Sequence, residues 1–106
     1  MLLAAILLAC QAPPPSHLSR PNALAVAPDG TLYVSDFGHD RIVMFDPSGQ
    51  HQSHFGSRGL ARGQLWRVYA LAVDTDDSLL VANRRPEDAS TRQGTVWEVK
   101  RFRGGR

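Results

Sequence analysis

The chain has 106 residues, 42% of them hydrophobic and 21% charged, with a formal net charge of +2. That length allows one ordinary domain at most, and so small a basic excess does not make a nucleic-acid-binding surface. The single Cys excludes an intramolecular disulfide and a cysteine zinc site, while nine Gly and seven Pro suit a turn-rich β protein.

Met1 to Cys10 (MLLAAILLAC) is continuously apolar and uncharged. It is far shorter than the about 20 residues a membrane-spanning helix needs. It suits the apolar core of a secretory signal peptide, although the usual positive n-region is absent. Leu7-Leu8-Ala9-Cys10 resembles a bacterial lipobox, with the small residue before Cys marking the cleavage point. The resemblance implies an exported lipoprotein acylated on Cys10, anchored at the cell envelope, with Gln11 similar to the residues that permit outer-membrane sorting. An acyl chain supplies membrane affinity of about 0.8 kcal/mol per buried CH₂. Residues 11–20, with three consecutive prolines, read as a stiff, extended linker that lifts the following domain off the bilayer.

From Pro21 to Asp46 (PNALAVAPDGTLYVSDFGHDRIVMFD) three short apolar runs alternate with turn chemistry. Ala23 to Val26, Leu32 to Val34 and Ile42 to Phe45 are too short for typical helices and rich in Val, Ile, Tyr and Phe, which predicts strands. Pro28-Asp29-Gly30 and the segment Asp36 to Asp40 supply the turns. A weaker run, His51 to Phe55, follows Asp46-Pro47-Ser48-Gly49. The expectation is a four-stranded antiparallel meander over residues 21–66, with Gly56 to Gln64 as a glycine-rich loop.

The meander then restarts. Shifted by 47 residues, Arg67 to Asn83 lies on Arg20 to Asp36 with eight identities in 17 pairs. Beyond Asn83 the match resumes after a seven-residue insertion, with Thr95 to Val99 opposite Arg41 to Phe45. Self-similarity at about 40–45 residues with four strands per unit is the signature of a propeller blade. Residues 67–106 form the second blade, incomplete because the basic Lys100 to Arg106 carries no fourth strand, and Pro86 to Gly94 reads as a surface excursion.

The run Pro21-x-x-x-Ala25-Val26, Asp29-Gly30, Tyr33-Val34-x-Asp36, Arg41-Ile42, Phe45-Asp46, Gly49, Phe55-Gly56 resembles an NHL repeat, the unit of many bacterial six-bladed β-propellers. The second copy departs from it at Val68, where the repeat has Pro, and at Asp77, where it has Gly. Together the copies cover about four fifths of the chain. The resemblance implies an all-β fold, a partial propeller of two four-stranded blades with the second incomplete. Propellers use about four to eight blades, so the expectation is a fragment of a longer chain, or self-association that supplies the missing blades.

Candidate chemistry is sparse. His51 and His54 have a metal-like spacing, but on a strand residues three apart point to opposite faces, so the pair is not expected to chelate one ion. Asp74, Asp76 and Asp77 fail the EF-hand pattern at Leu79 and Arg85 and read as turn acids. Asp36 and Arg41 flank the second turn, with Asp36 expected to accept turn N–H groups and Arg41 to pack over it. Pro21-Asn22 resembles a segment of gluconolactonase-like propellers whose Asn binds Ca²⁺ in the central channel, which implies a ligand role for Asn22; no other cofactor is indicated. Arg84, Arg85, Tyr69 and Trp66 make a basic aromatic patch of the kind RNA-binding NHL propellers use, although an exported lipoprotein would not meet nucleic acid. Trp97 is expected in inter-blade packing. No nucleophile, zinc-protease, P-loop or dinucleotide motif is visible.

The favoured expectation is therefore a non-enzymatic binding or scaffold module at the bacterial cell envelope. Its unidentified protein or small-molecule ligand would meet a loop face holding Asn22, Asp36, His39 and Asn83. The alternative is part of a metal-dependent propeller enzyme, similar to lactone hydrolases or peptidylamidoglycolate lyases.

Overall fold

The computed structural model describes residues 17–59, 61–85 and 96–103. The expected signal segment and acylated Cys10, most of the expected linker, and the Pro86 to Gly94 stretch lie outside the described residues. Those described form seven strands: β1 (Pro21–Val26), β2 (Leu32–Asp36), β3 (Arg41–Phe45), β4 (His51–Phe55), β5 (Val68–Val73), β6 (Leu79–Arg85) and β7 (Val96–Phe102). They make two antiparallel sheets in the sequential orders β1-β2-β3-β4 and β5-β6-β7. Each sheet is a meander, and β1 runs alongside β5, as the first strands of neighbouring blades do. The molecule is all-β, a two-bladed partial propeller.

The 47-residue repeat is a repeat of register. Pro21 pairs with Asp36 and Val26 with Leu32; Val68 pairs with Asn83 and Val73 with Leu79. Each first strand opens on a bulge, which leaves Asn22 in one blade and Tyr69 in the other as the extra residue. The first turns also match. The Gly30 N–H donates to the Ala27 carbonyl at 2.9 Å and the Asp77 N–H to the Asp74 carbonyl at 3.0 Å. Gly30 has φ +90° and Asp77 φ +65°, so the second blade places a side-chain residue in the left-handed conformation that its counterpart leaves to glycine.

Two sequence readings are corrected. Leu32 pairs with Phe45, thirteen residues on, whereas Leu79 pairs with Phe102, twenty-three residues on. The insertion is thus ten residues rather than seven, and β7 takes Lys100 to Phe102 into the sheet. Glu98, not Thr95, stands at the place of Arg41. The second correction concerns His51 and His54. A register shift between Met44 and Phe45 sets His54 beside Val43 and His51 beside Phe45. Val43 and Phe45 share a face, so the bulge brings both imidazoles to that face, with ring centroids 5.9 Å apart.

The core lies between the blades. Tyr33, Ile42 and Ala27 of the first meet Val68, Leu79, Val81 and Phe102 of the second, and Leu65 of the connecting loop is fully buried among them. Each such aliphatic side chain contributes about 1.5–3 kcal/mol on burial. Phe55 and Phe102 pack across the interface at 5.1 Å between ring centroids. Leu65 reaches this seat because the loop folds back, with the Leu65 N–H donating to the Ser57 carbonyl and the Gly59 N–H to the Leu65 carbonyl. Gly56 permits the approach: it has φ +97°, and a Cβ there would sit 2.7 Å from Leu65 Cδ1.

Candidate functional site

The four residues expected at one loop face are brought to one end of the two sheets. Asn22 sits in the bulge that opens β1, Asp36 closes β2, His39 ends the short 3-10 turn Phe37–His39, and Asn83 lies in β6 opposite Val68. Local sequence explains the arrangement. The bulge rotates Asn22 toward the second blade, and the turn after Asp36 closes on Asp40, whose φ of +51° reverses the chain into β3.

Each of these polar groups has a structural occupation. The Asn22 side-chain amide donates to the Val68 carbonyl at 2.8 Å, and its Oδ1 accepts from the Ser35 hydroxyl at 2.7 Å. Asn22 is therefore a latch between blades. The Asp36 carboxylate is fully buried and collects three partners: the Ser19 N–H on Oδ1, and Arg41 Nε and His39 Nδ1 on Oδ2, each at 2.7 Å. Burial works to raise its pKa, but the Ser19 N–H, the Arg41 guanidinium and His39 together outweigh it and hold the carboxyl below the ordinary range. Arg41 packs over Asp36 as expected and also donates to the His17 carbonyl, pinning the segment before β1. The His39 side chain is 39% exposed.

Asn83 is 1% exposed; its amide donates to Glu98 Oε1 at 3.1 Å, while its Oδ1 is buried without a hydrogen-bond partner. The donor set does not fit a Ca²⁺ ion as it stands. Asn22 Oδ1 and both Asp36 oxygens are already taken, and among the described residues no three His, Cys, Asp or Glu side chains converge on a common point. The turn acids of the second blade are likewise occupied: Asp74 accepts from the Thr75 N–H and Arg101, and Asp76 from the Ser78 N–H. Those same contacts lower both carboxyls below their ordinary value.

Sequence reasoning missed Asp40. It is 4% exposed, accepts Arg58 Nε at 2.7 Å and accepts the backbone N–H of Arg67 at 3.2 Å, where the second blade begins. Its partners lie 18 and 27 residues away, so no local pattern marks it. Also missed was a row of aromatics crossing both blades at this end. Phe37 meets Tyr69 edge-on at 5.6 Å, Tyr69 meets Trp97 at 5.2 Å, and the Arg20 guanidinium lies 5.8 Å from the Phe37 centroid. Trp97, expected in inter-blade packing, is 59% exposed. Trp66, Arg67, Arg84 and Arg85 line a small hollow of about 140 Å³ nearby, and Arg58 stacks on Trp66 at 5.2 Å.

No curated protein matches the chain. Residues 18–45, which carry β1, β2, the 3-10 turn and β3, match the family model of the NHL repeat, and that match supports an NHL-repeat protein.

Proposed function

We propose that the chain is a binding and scaffold module of the bacterial cell envelope, held to the membrane by an acyl group on Cys10 and offering its ligand the loop end around His39. The observation that carries a scaffold over an enzyme is the use made of Asn22, Asp36 and Asp40. Groups that could polarise a substrate are instead saturated by contacts that hold turn to strand and blade to blade. Preorganised electrostatic catalysis needs such groups aimed at a reacting atom, and here they are aimed at the fold. Lipid anchoring follows from the lipobox-like Leu7 to Cys10 and the affinity an acyl chain confers.

The rival reading, part of a metal-dependent propeller enzyme, draws on one feature, the buried Asn83 Oδ1 that lacks a partner. It would further require Asn22 to release both Ser35 and Val68. Anchoring is tested by expressing wild type and Cys10→Ser in a bacterial host that processes lipoproteins. Wild type should be recovered in the membrane fraction with an acylated N-terminal Cys, and Cys10→Ser should move to the soluble fraction. A wild-type chain that stays soluble with Met1 to Cys10 intact overturns the envelope reading.

A further inference from the structure

We propose that His51 and His54 of β4 form a two-imidazole site for a divalent transition-metal ion of the Zn²⁺ kind. What creates it is an irregularity in the β3–β4 ladder. Phe45 pairs with His51 and Met44 with Ser53, so Gln52 is an extra residue that no β3 residue faces. On a regular ladder, residues three apart point to opposite faces. The extra residue shifts that alternation by one and sets both imidazoles on the face of Val43 and Phe45.

The spacing suits a shared ion. Metal–nitrogen bonds of about 2.0–2.1 Å put the ring centroids of two imidazoles on one ion about 5–6.5 Å apart. The two rings are 5.9 Å apart and tilted by 45°, so what remains is rotation about side-chain bonds. An independent observation points to a ligand: His51 Nε2 is buried and has no hydrogen-bond partner. A buried ring nitrogen left unpaired costs the fold free energy, which coordination of an ion would offset. Phe45 stands edge-on to the His51 ring, at 6.4 Å and 88°, and holds its plane. His54 is exposed, which gives an ion a route in from solvent.

The donor atoms select the ion. Neutral imidazole suits Zn²⁺, Ni²⁺ and Cu²⁺, whereas Ca²⁺ and Mg²⁺ take oxygen ligands. Among the described residues no third His, Cys, Asp or Glu joins the pair, so water completes the coordination shell. Such a site is neither the four-ligand structural nor the three-ligand catalytic kind of zinc centre. It is a clip across the bulge of β4, a strand whose Gln52, Ser53 and His54 are all exposed, and it stabilises the folded chain in step with its occupancy. His39 offers no equivalent, because its Nδ1 is already bonded to Asp36. Both ligands belong to one strand, so the site is complete within this chain and depends on neither lipid anchoring nor the loop end around His39.

The test is calorimetric titration of Zn²⁺ at pH about 7.5, where imidazole is neutral. The protein is the full 106-residue chain carrying Cys10→Ser, so that the thiol takes no metal. One equivalent is expected to bind, and His51→Gln and His54→Gln should each weaken it at least about tenfold. Histidine ring NMR signals give a second reading that needs no variant at either ligand. Zn²⁺ should shift those of His51 and His54 together and leave His17 and His39 in place. His17→Gln is the control and should bind Zn²⁺ undiminished, and Ca²⁺ should give no heat. Absence of saturable uptake overturns the proposal. So does undiminished binding by His54→Gln, an equal loss with His17→Gln, or ring signals that move alike for all four histidines. A chain that takes no Zn²⁺ but, with Cys10 intact, still partitions to membranes would overturn the clip and leave the scaffold reading standing.

Discussion

Asp36 and Asn83 occupy the same place in successive blades, both buried in a second strand, and they reverse the polarity of the bond they make. Asp36 accepts from Arg41, and Asn83 donates to Glu98, which stands in the sheet where Arg41 does. Charge and partner have changed together, so each blade keeps a cross-strand hydrogen bond at this position. Asn83→Asp breaks this match by setting a carboxylate against Glu98 in a buried site. It should cost about 2–3 kcal/mol at neutral pH, measured as a fall in the urea midpoint.

Asp36 makes the first blade acid-sensitive. Its folded pKa is depressed, so its contribution is present above the unfolded value of about 3.9 and is lost as pH falls through the folded value. Asp36→Asn should lower stability by about 2 kcal/mol at pH 7. The gap between wild type and variant should narrow as the pH drops below about 4. A gap that is constant with pH would show that the carboxylate charge is not what Arg41 and Ser19 recognise.

Asp77 holds a left-handed turn at φ +65° where its counterpart Gly30 does so without a Cβ. Asp77→Gly should stabilise the chain by about 0.5 kcal/mol, the relief of strain being partly offset by the greater freedom of Gly in the unfolded state. The reciprocal Gly30→Asp should destabilise by more, because a Cβ there meets Pro47 Cγ at 3.0 Å. Chemical denaturation of the two variants reads both signs.

Gly56→Ala tests how the blades are joined. The new methyl group would press on Leu65 Cδ1 at 2.7 Å and stand at a positive φ, which should cost about 2–3 kcal/mol and shift Leu65 from its seat. Gly49→Ala is the control, with a similar φ of +91° and open space around the added atom. It should cost about 1 kcal/mol.

How much of this was legible in the sequence follows from range. Strands and turns in the first blade are written locally, by Val, Ile and Tyr between Pro-Asp-Gly and Asp-Pro-Ser-Gly, and the 47-residue identity carried the register into the second blade. Beyond Asn83 few identities survive, so the extent of the insertion was set wrongly and only the pairing of Leu79 with Phe102 fixed it. The His51 and His54 reading failed because strand alternation holds only while the ladder is regular, and a bulge lies between them. Asn22, Asp36, His39 and Asn83 lie at one end of the sheets, and the Asp36–Arg41 pair was legible as turn chemistry, but the contact of Asn22 with the next blade was not. Asn22 becomes a latch only when Val68 arrives from the next blade, and Asp40, which no local pattern marks, only when Arg58 and Arg67 do.

The most direct measurement is urea unfolding of wild type and Asn22→Ala, each in EGTA and in excess Ca²⁺. As a latch between Ser35 and the Val68 carbonyl, Asn22 should contribute about 1 kcal/mol, and its loss should be the same with and without the ion. Wild-type stability should not rise with Ca²⁺. A wild type stabilised by Ca²⁺, with Asn22→Ala losing that increment and nothing else, would show that Asn22 is a metal ligand and would contradict the scaffold account at its centre.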